Sequence, residues 1–462
     1  MIGRLVGRPS DWQLRRPLVR GPRPGLAWLG PLALFASVAV SWLAFDGAVG
    51  EDGSATFALF TGAASILLMA WSFILAIRLT WLEPLFGGLD RMYRVHRWCG
   101  AVAVVAMFLH TSSDPELERG IRGAREAVAD TAQQLAGVAQ VLLYVLVGIS
   151  ILRWFPYRYW RWTHKLLGIP FTFASFHFFT AEKPYANGSA WGWWFASFML
   201  AGIVAWVVRV VGRDMVMTGV PYRVEIATRV GSTLDLRLAP EDQPLKFKSG
   251  QFAVLKVQRR DLREPHIFTI AAAPSDPELR FFIRDLGDWT AKMQHADLGG
   301  TRVMVEGPYG KFEPIGHGTP TVWVAGGVGI TPFLSATAGL TPRPDGQRPV
   351  LFYSVSERAD AMAIDVLEQA DRDGVVDLVV LASAEGNRFG PRVFADRFGV
   401  EGLKGAHVAA CGPAGLIAAV ERAARSLGAA AIEREDFDIR QGFGPDLSND
   451  VEQLIAKLKR HS

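Results

Sequence analysis

Long apolar runs, all of them before residue 213, constrain this chain more than any other feature; beyond that point short alternating segments take over. The runs are Leu26 to Phe45, Phe57 to Ile77, Met92 to Thr111, Gln133 to Leu152, Trp162 to Phe179 and Trp191 to Val211. Each is close to the ~20 residues a helix needs to cross about 30 Å of hydrocarbon. No water is available there, so every backbone polar group has to be satisfied inside the segment. The sequence therefore predicts an α-helical membrane bundle of six transmembrane helices over 26–213, behind an arginine-rich arm at 1–25. The first run starts late and lacks a small-residue cleavage site, which reads as an anchor and not a signal peptide.

Loop charge orients the bundle. Arg4, Arg8, Arg15, Arg16, Arg20 and Arg23 precede the first run, whereas Asp46, Glu51 and Asp52 follow it. Arg78, Arg91, Arg94 and Arg97 flank the second turn, the third loop is mostly acidic (Asp114, Glu116, Glu118, Glu126, Asp130), and Arg153, Arg158, Arg161 and Lys165 flank the fourth. The positive-inside rule places the N-terminus and everything after Arg213 in the cytoplasm. Trp154, Phe155, Tyr157, Tyr159, Trp160 and Trp162 form an aromatic belt at that edge. With half the residues hydrophobic and 20% charged, the chain is neither disordered nor fibrous. Two cysteines make no disulfide framework, and 49 basic against 45 acidic residues, with no basic block beyond the N-terminus, exclude nucleic acid and leave the lipid bilayer as the partner.

Four of the nine histidines lie in runs three and five, and ionisable residues in a membrane are costly enough to imply a function. His96 and His110 are 14 residues apart, which an ideal helix turns into about 21 Å of rise with a phase error near 40°, so both face one way at two depths. His164 and His177 are 13 apart, about 140° out of phase. Gly168 and Pro170 lie between them, where a kink and a tightened turn restore the phase. Both runs cross in the same direction, so His96 pairs in depth with His164, and His110 with His177. Two stacked bis-imidazole sites suit two b-type haems, whereas zinc wants four ligands at one centre.

With these histidine pairs, runs three and five resemble the transmembrane ferric reductase and NADPH oxidase superfamily, in its bacterial NADPH oxidase-like form. The resemblance implies two haems between the helices and electrons moving from cytosol to outside. Arg94, Arg97, Arg161 and Lys165 lie near the inner level, suited to haem propionates or simply to the charge rule.

From residue 218 to 316 the chain reads as a β-barrel domain of short strands: Tyr222 to Ala227, Thr233 to Leu238, Gln251 to Val257, Ile267 to Ala271, Leu279 to Ile283 and Arg302 to Glu306. Pro265 to Ile270 and Gly287 to Thr290 resemble the two flavin motifs of the ferredoxin-reductase-like fold, and Gly307-Pro308-Tyr309-Gly310 matches its closing turn. The resemblance puts His266, Ile267, Phe268, Thr269, Arg284, Gly287, Trp289 and Thr290 on FAD, with a helix N-terminus receiving the pyrophosphate.

An α/β doubly wound domain is predicted over 319–440. Thr321 to Val324 runs into Gly326, Gly327, Gly329, Ile330, Thr331 and Pro332, a strand, glycine turn and helix suited to a diphosphate. Strands at Val350 to Val355, Val376 to Ala382 and His407 to Ala410 alternate with helices, and the last ends in Cys411, Gly412 and Pro413, where a parallel sheet carries its site. The resemblance puts Cys411 beside the nicotinamide; a small core residue is the other reading. Ser354, Ser356 and Arg358 suit the 2′-phosphate of NADPH, whereas Glu357 among them favours NADH. Phe437 looks like the family's aromatic over the flavin. Beyond it, Leu447, Val451, Leu454, Ile455 and Leu458 make one face of a helix within a tail at 441–462, with Ser448, Glu452, Lys457 and Arg460 suited to its ends.

The whole then reads as an NAD(P)H oxidase of a bacterial inner membrane, passing electrons through FAD and two haems to oxygen outside, with ferric iron the second acceptor. Arg119, Arg122 and Arg125 are the cations at hand to stabilise superoxide. An electron-conducting subunit for a partner protein and a transporter with a degenerate flavin domain are the rival readings. No calcium loop, repeat or proline-rich segment calls for a regulatory subunit.

Overall fold

The computed structural model describes residues 26–45, 53–113, 120–151, 157–215, 218–315, 320–342, 348–399 and 403–435. The N-terminal arm, Trp154 and Phe155, the acidic residues 114–118, Arg119, Phe437 and the 441–462 tail lie outside them. The chain divides into two compact units, one built on Gly25–Val216 and the other on Met217–Phe437.

The first unit is helical: α1 (Leu29–Val40), α2 (Gly53–Ala76), α3 (Leu89–Thr111), α4 (Glu126–Ile151), α5 (Tyr157–Lys165), α6 (Gly168–Thr180) and α7 (Ala190–Val207). Among the described residues three helical stretches are long and apolar enough to cross a membrane: Ala55–Ala76, Glu126–Ile151 and Ala190–Gly212. The helix α3 has the length but carries Asp90, Arg91, Arg94 and Arg97 in its first turns, and the fifth run is divided into α5 and α6. Fully buried Leu67, Ala70, Phe171 and Phe195 centre its core.

Residues of α2 and α3 face each other in antiparallel register, in steps of seven. The Nδ1 of His96 donates to Ser72 O at 2.9 Å, Ser65 Oγ donates to Ala103 O at 2.8 Å, and the Nδ1 of His110 donates to Ala58 O at 2.8 Å. Seven residues are close to two helical turns, so one seam of each helix stays against the other.

The break between α5 and α6 is a tightened turn. Leu166 N donates to Thr163 O, Leu167 N to His164 O and Ile169 N to Leu166 O, all bonds to the third residue back. Such turns advance by about 120° per residue instead of 100°, which moves His177 toward the phase of His164. Pro170 brings no N–H, Ile169 N turns to Leu166 O, and Trp206 of α7 serves the carbonyl this leaves: its Nε1 donates to Lys165 O at 2.7 Å. Its ring lies where a Cβ on residue 168 would stand, which is why glycine is there.

In the second unit a six-stranded antiparallel sheet comprises β1 (Val220–Val230), β2 (Thr233–Pro240), β3 (Phe252–Val257), β4 (His266–Thr269), β5 (Leu279–Arg284) and β6 (Arg302–Tyr309), in the order β4-β3-β6-β1-β2-β5, with α8 (Asp288–His295) after β5. Its two edges approach where Ala271 N donates to Arg280 O at 2.8 Å. Alternating residues such as Leu234, Leu236 and Leu238 fill the interior.

The remainder is a parallel sheet of β7 (Thr321–Gly326), β8 (Val350–Val355), β9 (Asp377–Ala382), β10 (His407–Cys411) and β11 (Ala431–Glu435), in the order β9-β8-β7-β10-β11. Helices α9 (Thr331–Ala338), α10 (Ile364–Arg372), α11 (Pro391–Phe398) and α12 (Ala414–Ser426) connect its strands. Covered on both faces, the central strands are largely apolar, as Val-Trp-Val-Ala within β7 illustrates. The strand order reverses at β7, so a crevice opens outside the carboxyl ends of β7 and β10.

Gly168→Ala should overpack the Trp206 contact by about 1–3 kcal/mol and lower the thermal midpoint in detergent by a few degrees. Adding Trp206→Leu should recover part of the loss, a non-additivity that thermal unfolding of both single variants and the double variant measures.

Candidate functional site

Each unit carries its own candidate site. In the helical unit His96 comes from α3 and His164 from α5, with ring centroids 5.9 Å apart and planes at 70°. Ser72 offers His96 Nδ1 its hydroxyl at 2.8 Å and its carbonyl at 2.9 Å; the carbonyl only accepts, so the tautomer that uses it carries the proton on Nδ1 and leaves Nε2 with its lone pair. His164 reaches the same state by another route: Ser150 Oγ spends its proton on Leu146 O at 2.7 Å and accepts from His164 Nδ1 at 3.0 Å. Two imidazole–metal bonds of about 2 Å, with roughly 1 Å more from each nitrogen to its ring centre, span about 6 Å, so the spacing suits two residues that would hold one metal. Trp160 stacks on His164 at 5.1 Å, and Lys165 Nζ lies 4.3 Å from the centre of the Trp162 ring.

At the other end of α3 and α6, His110 and His177 line a cavity of about 180 Å³. His110 is held as His96 is, by Ala58 O. On α2, a Cβ at Gly62 would come within 2.8 Å of the His110 ring, so the absence of a side chain there makes its room. Among the described residues the buried Nδ1 of His177 has no hydrogen-bond partner. The wall also includes Gln140, Thr111 and Lys183. Arg122, one of the cations the sequence suggested, instead pairs loosely with Glu126 and Glu182. Sequence reasoning missed Ala58, Gly62, Ser72, Ser150 and Lys183; only the cluster of small residues in the second run could have signalled the first two.

The flavin motif lies on β4. His266 stacks on Trp289 with centroids 4.0 Å apart, and Phe268 follows at 5.9 Å from the same indole. Two buried polar atoms, Thr269 Oγ1 and His266 Nε2, have no hydrogen-bond partner among the described residues. Buried polar groups are ordinarily paired, so this strand offers a donor and an acceptor to a ligand and fits a flavin. Ile267 is half-buried between them. Trp289 itself is a core residue, donating its indole N–H to Leu262 O at 3.2 Å. Thr290 caps its own helix: its Oγ1 accepts from Leu286 N and Gly287 N at 2.9 and 3.0 Å, leaving the amides of the following turn for an anion. A buried pair the sequence reading missed underlies the closing turn: Lys256 Nζ lies 2.8 Å from Glu306 Oε2, and Tyr309 OH donates to Glu306 Oε1 at 2.8 Å.

The nucleotide motifs converge. Gly326, Gly327 and Gly329 leave β7 and turn into α9 through Ile330, Thr331 and Pro332. A Cβ at Gly329 would collide with Cys411 O, and one at Gly412 would lie 3.0 Å from the Gly326 Cα, so the two loops meet backbone to backbone. Cys411 is fully buried, and Pro413 precedes α12. Arg284, at the end of β5, reaches this turn, its Nη1 3.7 Å from where a Cβ on Gly327 would stand. The end of β5 and the glycine turn therefore lie side by side. Ser356 is exposed after β8, and Arg358 Nη2 donates to Glu368 Oε1 at 2.7 Å.

Comparison with known families agrees with this division. A model described as ferric reductase like transmembrane component matches residues 61–175, and one described as an FAD-binding domain matches residues 218–313. The reductase component of propane 2-monooxygenase from Mycolicibacterium goodii is 30% identical over 188 residues, which is 37% of this chain and 53% of that one. Human dual oxidase 2 is 22% identical over 388 residues, 72% of this chain and 24% of that one. A solved cytochrome P450 reductase from Amycolatopsis aligns over 47% of this chain and 69% of its own, at 22% identity and a TM-score of 0.41. The chain thus spans about half or less of the length of these two relatives.

Thr269→Val removes the orphaned hydroxyl and keeps the shape. It should weaken FAD retention about tenfold, the scale of one buried hydrogen bond, with little change in thermal midpoint; titration of flavin fluorescence against the flavin-free protein reads the first and thermal unfolding the second.

Proposed function

We propose that this chain, in which a ferric reductase-like transmembrane component is joined to an FAD-binding domain, is an NAD(P)H oxidase that reduces oxygen to superoxide across a bacterial inner membrane. When bound, FAD would convert the two-electron hydride of NAD(P)H into single electrons, and two b-type haems would carry these one at a time, since haem iron accepts only one. The supporting observation is the state of the histidines. His96, His110 and His164 each donate Nδ1 to a protein oxygen, which leaves Nε2 basic and aimed by a second partner, as metal-bound imidazoles require.

In this reading six spans cross the bilayer, with the N-terminus and the nucleotide domains in the cytoplasm. His96 with His164 would hold the inner haem, and His110 with His177 the outer. Thr269 and His266 would meet the flavin, with Ile267, Phe268, Arg284 and the α8 amides from Gly287 onward around it. The turn from Gly326 to Pro332 would cradle the nicotinamide diphosphate. Cys411, Gly412 and Pro413 would close the crevice beside it, the backbone contact between Gly329 and Cys411 holding the two loops together. Ser356 and Arg358 would read a 2′-phosphate, with Arg358 released from Glu368, which makes NADPH the first choice and NADH the second. Phe437 would cover the flavin.

A ferric-chelate reductase of the same architecture is the second reading, favoured by the description of the family model over residues 61–175. Oxygen uptake with NADPH or NADH, with and without superoxide dismutase and a ferric chelate, separates the two. His110→Ala should remove about half of the reducible haem while NAD(P)H still reduces the flavin, as optical spectra of the anaerobic protein report; retention of both haems would overturn the pairing.

A further inference from the structure

Among the described residues, Lys183 is a charged side chain without a counter-ion, at the His110 and His177 end of the helical unit. It is 3% exposed and lines the cavity shared by His110 and His177, the one lysine or arginine among the described residues of a wall that also includes Glu182. Its Nζ donates to Phe178 O at 3.0 Å, Phe179 O at 3.4 Å and Ala181 O at 3.2 Å, and lies 5.5 Å from the centre of the Phe178 ring. No carboxylate lies within ion-pair distance among the described residues: the adjacent Glu182, its partner in sequence on a short strand paired with Ile121–Arg122, lies beside Arg122 at 3.9 Å.

A cap on the last turn of α6 explains the carbonyl bonds, since cations suit the negative end of a helix. It does not explain the burial. Taking an ammonium out of water costs several kcal/mol, which carbonyl dipoles offset only in part. That burial draws the ammonium pKa down to about 8, so it remains charged at pH 7. The field of this charge acts on the cavity that His110 and His177 border, where the dielectric is low and a charge is felt strongly.

We propose that Lys183 raises the electron affinity of the group that His110 and His177 would hold, and so favours the outward passage of the transferred electron. This rests on the haem reading above. In hydrocarbon, a positive charge beside an acceptor stabilises its reduced form, whatever molecule finally takes the electron. The residue acts through the site and touches no substrate; it is a positioning residue in the electrostatic sense.

The test is an anaerobic optical redox titration of the purified full-length protein, comparing wild type with Lys183→Met and Lys183→Arg. Lys183→Met should lower the midpoint of the outer haem so that the constant for electron transfer from the inner to the outer level falls about tenfold, which is about 59 mV for one electron. The inner midpoint should hardly move, and Lys183→Arg should restore most of the shift. Should Lys183→Met fail to fold, Lys183→Gln keeps a donor for the same carbonyls without the charge and should lower the outer midpoint in the same direction. Unchanged midpoints in haem-loaded Lys183→Met or Lys183→Gln would overturn this role and leave the cap, with the haem reading intact. A wild-type protein without haem would overturn both.

Discussion

The seam between α2 and α3 is the contact on which the rest of the helical unit depends. Three cross-helix bonds, at Ser72 with His96, Ser65 with Ala103 and Ala58 with His110, recur every seven residues and fix the antiparallel register of the two helices. Where no water competes, an imidazole N–H has to find a protein acceptor, and the second lone pair of a helix carbonyl is the nearest one. The same bonds that lock the register therefore choose the tautomer of two histidines 14 residues apart. A slip by one residue on either helix would break all three bonds and turn both rings off the seam.

The opposing wall meets the same demand by different means. The α5–α6 helix cannot present His164 and His177 on one face while it stays regular, so it tightens at Leu166 to Ile169, and Trp206 satisfies the carbonyl that the break exposes. Structure and chemistry meet at Gly168: the glycine admits the indole, the indole stabilises the break, and the break orients the histidines. In the second unit the comparable device is the backbone contact of Gly329 with Cys411, which joins two loops at the carboxyl ends of neighbouring strands.

Much of this was legible in the sequence because the costly residues advertise themselves. Histidines stand out in apolar runs, a glycine turn follows an all-apolar strand, and the strands of both sheets lie close to where alternation and turn residues placed them. The partners were not legible. Ala58 and Ser72 act through backbone carbonyls, which carry no side-chain signal, and Gly62 acts through what it lacks. Lys183 looked like an ordinary loop lysine until the chain brought it under the last turn of α6. Trp289 shows the converse: its motif points to the cofactor, yet its indole belongs to the core of the antiparallel sheet beneath His266. The edge strand β11 escaped notice because Glu433, Arg434 and Glu435 interrupt its apolar pattern.

The account's central claim is that four histidines in a helical bundle hold two haems served by one flavin. The most direct measurement is the ratio of haem to flavin in the purified protein, taken with its spectrum after anaerobic addition of NADPH. The account predicts two haems per FAD, low-spin with two imidazole ligands each, and both reduced by the nucleotide. A flavoprotein without haem, or haem that NADPH and FAD leave oxidised, would contradict it.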